Sequence, residues 1–127
     1  MVSEINNKIK ESVQKFLEVS KNKEIQIISH FDTDGITSAT IMIKTLKKLD
    51  KTFSIKIIKN LEREMVYSLP KNKITIFLDL ASGSLNHISN TELENVFIID
   101  HHKINQDIPK NVTIINPELH DKQKISS

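Results

Sequence analysis

Ile25-Gln26-Ile27-Ile28-Ser29-His30-Phe31-Asp32-Thr33-Asp34-Gly35 begins as a β-branched run and ends in an imidazole, two carboxylates and a glycine. Ile25 to Ser29 reads as a strand. After Gly35 the apolar set Ile36, Ala39, Met42, Ile43, Leu46 and Leu49 takes helical spacing. His30, Asp32 and Asp34 lie at i, i+2 and i+4, so in extended backbone they point the same way, about 6.5 to 7 Å apart. Gly35 is expected to let the chain turn from strand into helix. A strand that feeds a helix through a polar turn is the opening unit of a parallel α/β sheet, and ligands bind at the carboxyl edge of such sheets.

The same alternation continues outward. Ile5, Ile9, Val13, Phe16 and Leu17 share a helical face over a segment spanning residues 1–21, and Phe53 to Ile58 reads as a second strand. Leu61, Met65 and Leu69 suggest two turns of helix ended by Pro70. Ile74 to Leu80 and Val96 to Ile99 are apolar on both faces, as central strands of a parallel sheet require. A short helix fits between them at Leu85 to Ile88, and Val112 to Ile115 is a last strand closed by Asn116-Pro117. The expectation is an α/β fold, a parallel β-sheet with helices on both faces, its core spanning about residues 24–117. The tail, 118–127, offers no helix to close over the last strand, which suggests a fragment of a longer protein.

The 127 residues fit one domain, and 38% apolar with 27% charged residues describes an ordinary globular chain. No apolar stretch is long enough to cross a bilayer, and the N-terminus lacks a signal-peptide pattern. Cysteine is absent, so neither disulfides nor thiolate metal sites arise, and a cytoplasmic location is expected. The net charge of +2 does not by itself announce a nucleic-acid binder. Lys44, Lys47, Lys48 and Lys51 read as a solvated helix face, and His87 and His120 as surface residues.

Three strand ends carry chemistry. The first delivers His30, Asp32 and Asp34, the third Asp79, and the fourth Asp100, His101 and His102. Four carboxylates gathered at one edge repel one another unless a cation neutralises them. Mixed carboxylate and imidazole ligands suit Mn²⁺, Fe²⁺, Co²⁺ or Zn²⁺ and not an all-oxygen Ca²⁺ site. The ligands outnumber the needs of one ion, and a pair of ions sharing one carboxylate would use them. Asp79 is the expected bridge, since its strand is expected between the other two.

His30-x-Asp32-x-Asp34-Gly35-x-x-Ser38, followed by Asp79 and Asp100-His101-His102, resembles the first three motifs of the DHH phosphoesterase superfamily. The compact His-x-Asp-x-Asp spacing and the Leu78-Asp79-Leu80-Ala81-Ser82-Gly83 run are similar to its RecJ-like branch, archaeal members included. The resemblance implies a Rossmann-like DHH domain, of which this is the N-terminal portion. It also implies two divalent ions, Mn²⁺ ahead of Mg²⁺ or Co²⁺. His30, Asp32 and Asp79 would hold one, and Asp34, Asp79 and His101 the other. His102 would sit beside the scissile phosphate, with Asp100 orienting the histidines. Lys103 either contacts phosphate or is a solvated lysine. Members of the family continue into a glycine-rich segment, a fourth-motif aspartate and a second domain, none of which this sequence contains.

The activity implied is hydrolysis of single-stranded DNA or RNA by a water that two metal ions activate. Two alternatives accompany it. One is a scaffold of the same family, with replication or repair proteins as partners. The other is a phosphoesterase for pyrophosphate, cyclic dinucleotides or short oligonucleotides. No membrane partner is expected.

Overall fold

β1 (Ile25–His30) and β3 (Ile74–Leu78) are buried along their whole length apart from the half-buried His30, the signature of strands covered on both faces. With β2 (Phe53–Ile58), β4 (Val96–Ile99) and β5 (Val112–Ile115) they form one five-stranded sheet in the order β2-β1-β3-β4-β5, parallel at every pair. The structure is a computed structural model and describes residues 2–120. Residues 121–127 of the expected tail lie outside the described residues, as does the side chain of His120.

The helices are α1 (Val2–Val19), α2 (Thr33–Lys48), α3 (Arg63–Ser68) and α4 (Leu85–Ser89), and a 3₁₀ turn spans Pro117–His120. Alternate strand residues feed two cores. Ile25, Ile27, Ile74, Ile76, Leu78 and Phe97 pack with Ala39 and Leu46 of α2 and with Phe16 of α1, whose ring meets Phe97 edge-on at 5.5 Å. On the other face Ile28, Phe77, Val96, Ile98, Val112 and Ile114 pack with Val66 of α3 and with Leu85 and Ile88 of α4. The expected helices on both faces are therefore present. The last strand is also covered, by α1 from the start of the chain, where the sequence had suggested no closing helix. Among the described residues no helix is long and apolar enough to cross a membrane.

Two features of this sheet build the site. The order runs from β1 out to β2 and then back to β3 on the other side, so the β1/β3 boundary is a topological switch point, where α/β sheets open a crevice. The register also aligns the strand ends. Ser29 pairs with Leu78, Leu78 with Ile99, and Ile99 with Ile115. The next residue on each strand is His30, Asp79, Asp100 and Asn116, so one row across the sheet carries the polar residues.

Candidate metal centre

The extended segment expected through Asp34 ends two residues earlier. Asp32 is the N-cap of α2: its Oδ1 accepts a hydrogen bond from the Gly35 N–H at 2.8 Å, and Asp34 falls in the first helical turn. The cap satisfies one of the orphan amides of the helix. Gly35 likewise has a different role from the one its sequence suggests. Its φ is negative, and it is needed because α2 starts against the end of β1. A Cβ there would collide with the His30 carbonyl oxygen and lie 2.6 Å from the carbonyl carbon. Ser29, fully buried, locks this junction by donating from Oγ to the Gly35 carbonyl at 2.7 Å.

β3 stops at Leu78 because Asp79 and Ala81 adopt φ of 61° and 86°. Left-handed backbone costs a non-glycine residue about 1–3 kcal/mol and persists where surroundings over-determine it. Asp79 is 4% exposed, and its N–H donates to the Ile99 carbonyl at 2.9 Å, which ties it to β4. Its two carboxylate oxygens face different groups. Oδ1 lies 2.8 Å from His101 Nε2, and Oδ2 lies 3.4 Å from His30 Nδ1. His30 Nδ1 is also 3.0 Å from Asp32 Oδ2, while Asp34 Oδ2 approaches His101 Nε2 at 3.8 Å. Ligand atoms of His30, Asp32 and Asp79 converge within 4.8 Å of one another, and so do those of Asp79, Asp100, His101 and His102. An open cleft of about 390 Å³ borders Asp34, Thr37, Ser38, Asp79, Asp100 and His101.

Asp100 is also buried, and its N–H donates to the Ile115 carbonyl. Oδ1 accepts from the His101 N–H at 2.8 Å and faces His102 Nδ1, while Oδ2 accepts from the Ser82 N–H at 3.2 Å. Asp100 thus holds the His102 ring, whereas the His101 ring, stacked on it at 4.4 Å, is held by Asp79. Burial pushes the Asp100 carboxyl upward, but the hydrogen bonds from Ser82, His102 and His101 outweigh it and leave its pKa below the ordinary value. An ionised Asp100 can only accept, so the Nδ1 of His102 carries the proton and Nε2 is the ring nitrogen left for another partner.

The Gly35 amide, then the neighbouring Asp79, hold the Asp32 carboxyl below its usual range, while burial, then Asp32, push Asp79 up. The two carboxyls titrate as a unit, with the proton favoured on Asp79. A raised pKa means that the folded state favours protonated Asp79. The stability this contributes is full below the unfolded pKa and is lost as pH rises through the folded one. Asp79→Asn does not titrate and suits φ > 0. In the metal-free protein its stability should gain on the parent's as pH rises above the ordinary carboxylate range and Asp79 of the parent loses its proton. A gap that stays constant with pH would contradict this electrostatic account.

The residues fit a divalent cation. Among the described residues, three buried side-chain polar atoms lack a hydrogen-bond partner, and two of them are His30 Nδ1 and Asp79 Oδ2. Such atoms cost about 1–3 kcal/mol each unless something satisfies them. Here they face one another across a set of carboxylate and imidazole donors, the chemistry of a transition-metal site. Lys103 is exposed, and His87 lies half-buried on α4, edge-on to Tyr67.

The model of the DHH family, N-terminal domain, matches residues 24–127. The chain belongs to the DHH family. It is 34% identical over 103 residues to an uncharacterised protein of Methanocaldococcus jannaschii, covering 75% of this chain and 24% of that protein. Its fold matches RecJ from Thermus thermophilus, solved in complex with Mn²⁺, with a TM-score of 0.71 at 20% identity, covering 88% of this chain and 17% of RecJ. It also matches an exonuclease RecJ bound to manganese, with a TM-score of 0.68 at 18% identity, covering 80% of this chain and 28% of that one. The chain thus spans about a quarter of the curated relative it matches. DHH proteins are metal-dependent phosphoesterases, and the acidic and histidine cluster has the donors to hold a metal ion.

Two supports of this DHH site went unread in the sequence. Asn116, fully buried, donates from Nδ2 to the His102 carbonyl at 2.8 Å and to Ser82 Oγ at 3.2 Å, so β5 braces both loops. Ser82 in turn braces Asp100. The available signal was position: each is a short polar residue just beyond an apolar strand.

Proposed function

We propose that the chain is the metal-holding part of a DHH phosphodiesterase that hydrolyses single-stranded DNA or RNA with two divalent ions, Mn²⁺ foremost. One observation carries the reading: buried Asp79 presents its two oxygens to two separate ligand sets. His30, Asp32 and Asp79 would hold one ion, and Asp34, Asp79 and His101 the other. When bound, the ions supply a Lewis-acid centre that lowers the pKa of a water and neutralises charge on phosphoryl oxygens. The chain's own residues do the rest. Asp100 fixes the tautomer of His102 and leaves Nε2 of the half-exposed ring for the phosphate. Lys103, exposed on the same loop, would contact the phosphate backbone. A second domain, contributed by a longer chain, would grip the strand, and the protein would act in the cytoplasm.

The test is hydrolysis of an end-labelled single-stranded oligonucleotide with Mn²⁺ and with chelator. Cleavage should require the metal, and His102→Gln should lower the rate by about 10²–10⁴-fold, the range for a positioned acid–base group, with Mn²⁺ affinity retained. Cleavage of pyrophosphate with the oligonucleotide left intact would overturn the substrate assignment.

A further inference from the structure

His102 lies in a segment, 100–111, that carries neither helix nor strand, so side-chain hydrogen bonds must hold it in place. Two of them act on different parts of the residue. Asp100 Oδ1 faces the ring at Nδ1, and Asn116 Nδ2 donates to the His102 carbonyl at 2.8 Å. The Asn116 amide carries two hydrogens, and its nitrogen also donates to Ser82 Oγ at 3.2 Å. The Ser82 N–H in turn donates to Asp100 Oδ2 at 3.2 Å. Asn116, His102, Asp100 and Ser82 thus close a ring of hydrogen bonds. Ser82, Asp100 and Asn116 are buried, and a satisfied polar network away from water specifies one arrangement of its members.

The ring joins three strand ends. Ser82 lies on the loop that leaves β3 through Asp79, His102 follows β4, and Asn116 directly follows β5. The register fixes Asn116 itself, since the Asp100 N–H donates to the Ile115 carbonyl at 3.2 Å. An aspartate of the same size could only accept, and would face the His102 carbonyl without a hydrogen to offer. We propose that Asn116 is a positioning residue: it fixes the backbone of His102 against the loop that carries Asp79, and so sets where Nε2 meets the phosphate. Its effect on hydrolysis rests on the phosphodiesterase reading above, whereas its hold on His102 does not. Asn111 offers a comparison within the same strand. It stands at the other end of β5, and its Nδ2 donates to the Leu93 carbonyl at 2.6 Å, a side-chain-to-backbone bond of the same kind away from His102.

The test is nitrogen-15 NMR of the histidine rings in the metal-free protein at about pH 8.5, above the ordinary histidine range, so that tautomers and not protonation are read. The parent should show His102 in the single tautomer with its hydrogen on Nδ1. Asn116→Ala should mix the two tautomers at His102 and leave His101, whose ring Asp79 holds, as in the parent. With Mn²⁺ and the labelled oligonucleotide, kcat should fall about 10²-fold, the order expected when a reacting group is misplaced by about 1 Å, while Mn²⁺ affinity is kept. Asn111→Ala should lower the melting temperature comparably and change neither readout. Ser82→Ala removes a single hydroxyl, is the milder change should Asn116→Ala not fold, and should mix the His102 tautomers to a smaller extent. A single His102 tautomer in both site variants, or the same mixing in Asn111→Ala, would overturn the proposal. A parent that leaves the oligonucleotide intact would sink the nuclease reading instead, and the ring signals would still decide the role of Asn116.

Discussion

Asp79→Ala should abolish the rise in melting temperature that Mn²⁺ gives the parent, and Asp32→Ala should only reduce it. Binding to the folded state alone stabilises in proportion to affinity and free ligand, so thermal shift reads the site directly. In the proposed centre Asp79 would contribute an oxygen to each ligand set, since its Oδ1 lies toward His101 and its Oδ2 toward His30. Its removal therefore strips both, and Mn²⁺ affinity should fall by more than the roughly 10–100-fold typical of losing an outer-shell partner. Asp32 would serve one set and it also caps α2, so Asp32→Ala adds a stability loss that is present without metal. The left-handed backbone of Asp79 disfavours alanine on its own account. Asp79→Asn, which keeps that backbone at ease, separates the effects. It should hold or raise metal-free stability while losing most of the Mn²⁺ response. Equal thermal shifts in all the variants would remove Asp79 from the centre of the site.

Gly35→Ala should be far more damaging than the same change at Gly83. The added carbon would meet three backbone atoms of His30: its carbonyl oxygen, its carbonyl carbon at 2.6 Å and its Cα at 2.9 Å. Backbone cannot rotate aside as a side chain can, so α2 must lift away from the end of β1. Overpacking of this kind costs about 3 kcal/mol or more. The shift would also carry the Asp32 cap and Asp34 away from Asp79, so Mn²⁺ affinity should fall along with stability. Gly83→Ala is the matched control. Nothing lies within 4 Å of its added carbon and its φ is not positive, so its effect should stay within about 0.5 kcal/mol. Urea denaturation of the two variants against the parent reads the contrast, and equal losses would contradict it.

The architecture was legible because its signals are local. Runs such as Ile74 to Leu78 are apolar on both faces, and the helical spacing after Gly35 is regular, so the central strands and α2 follow from periodicity alone. The placement of β3 between β1 and β4, which puts Asp79 at the switch point, follows the expectation that made it the bridge. What was misread lies where two local signals compete. Asp32 could continue a strand or cap a helix, and the amides of α2 settle the matter by recruiting Oδ1. Gly35 carried the composition of a turn, but its need is the close approach of helix to strand, a contact between elements that no local pattern encodes. The left-handed Asp79 and Ala81 gave no sign either, since neither is a residue that favours φ > 0 as glycine does. The hydrogen bonds from Asn116 to His102 and Ser82 span 14 and 34 residues and depend on the register of β5, which only the folded sheet reveals.

Whether one carboxylate is shared between two metal ions is read from calorimetric titration of the metal-free protein with Mn²⁺, beside Asp79→Ala. The parent should bind two ions per chain and the variant none. A single ion per chain, or unchanged binding after Asp79→Ala, would contradict the shared carboxylate.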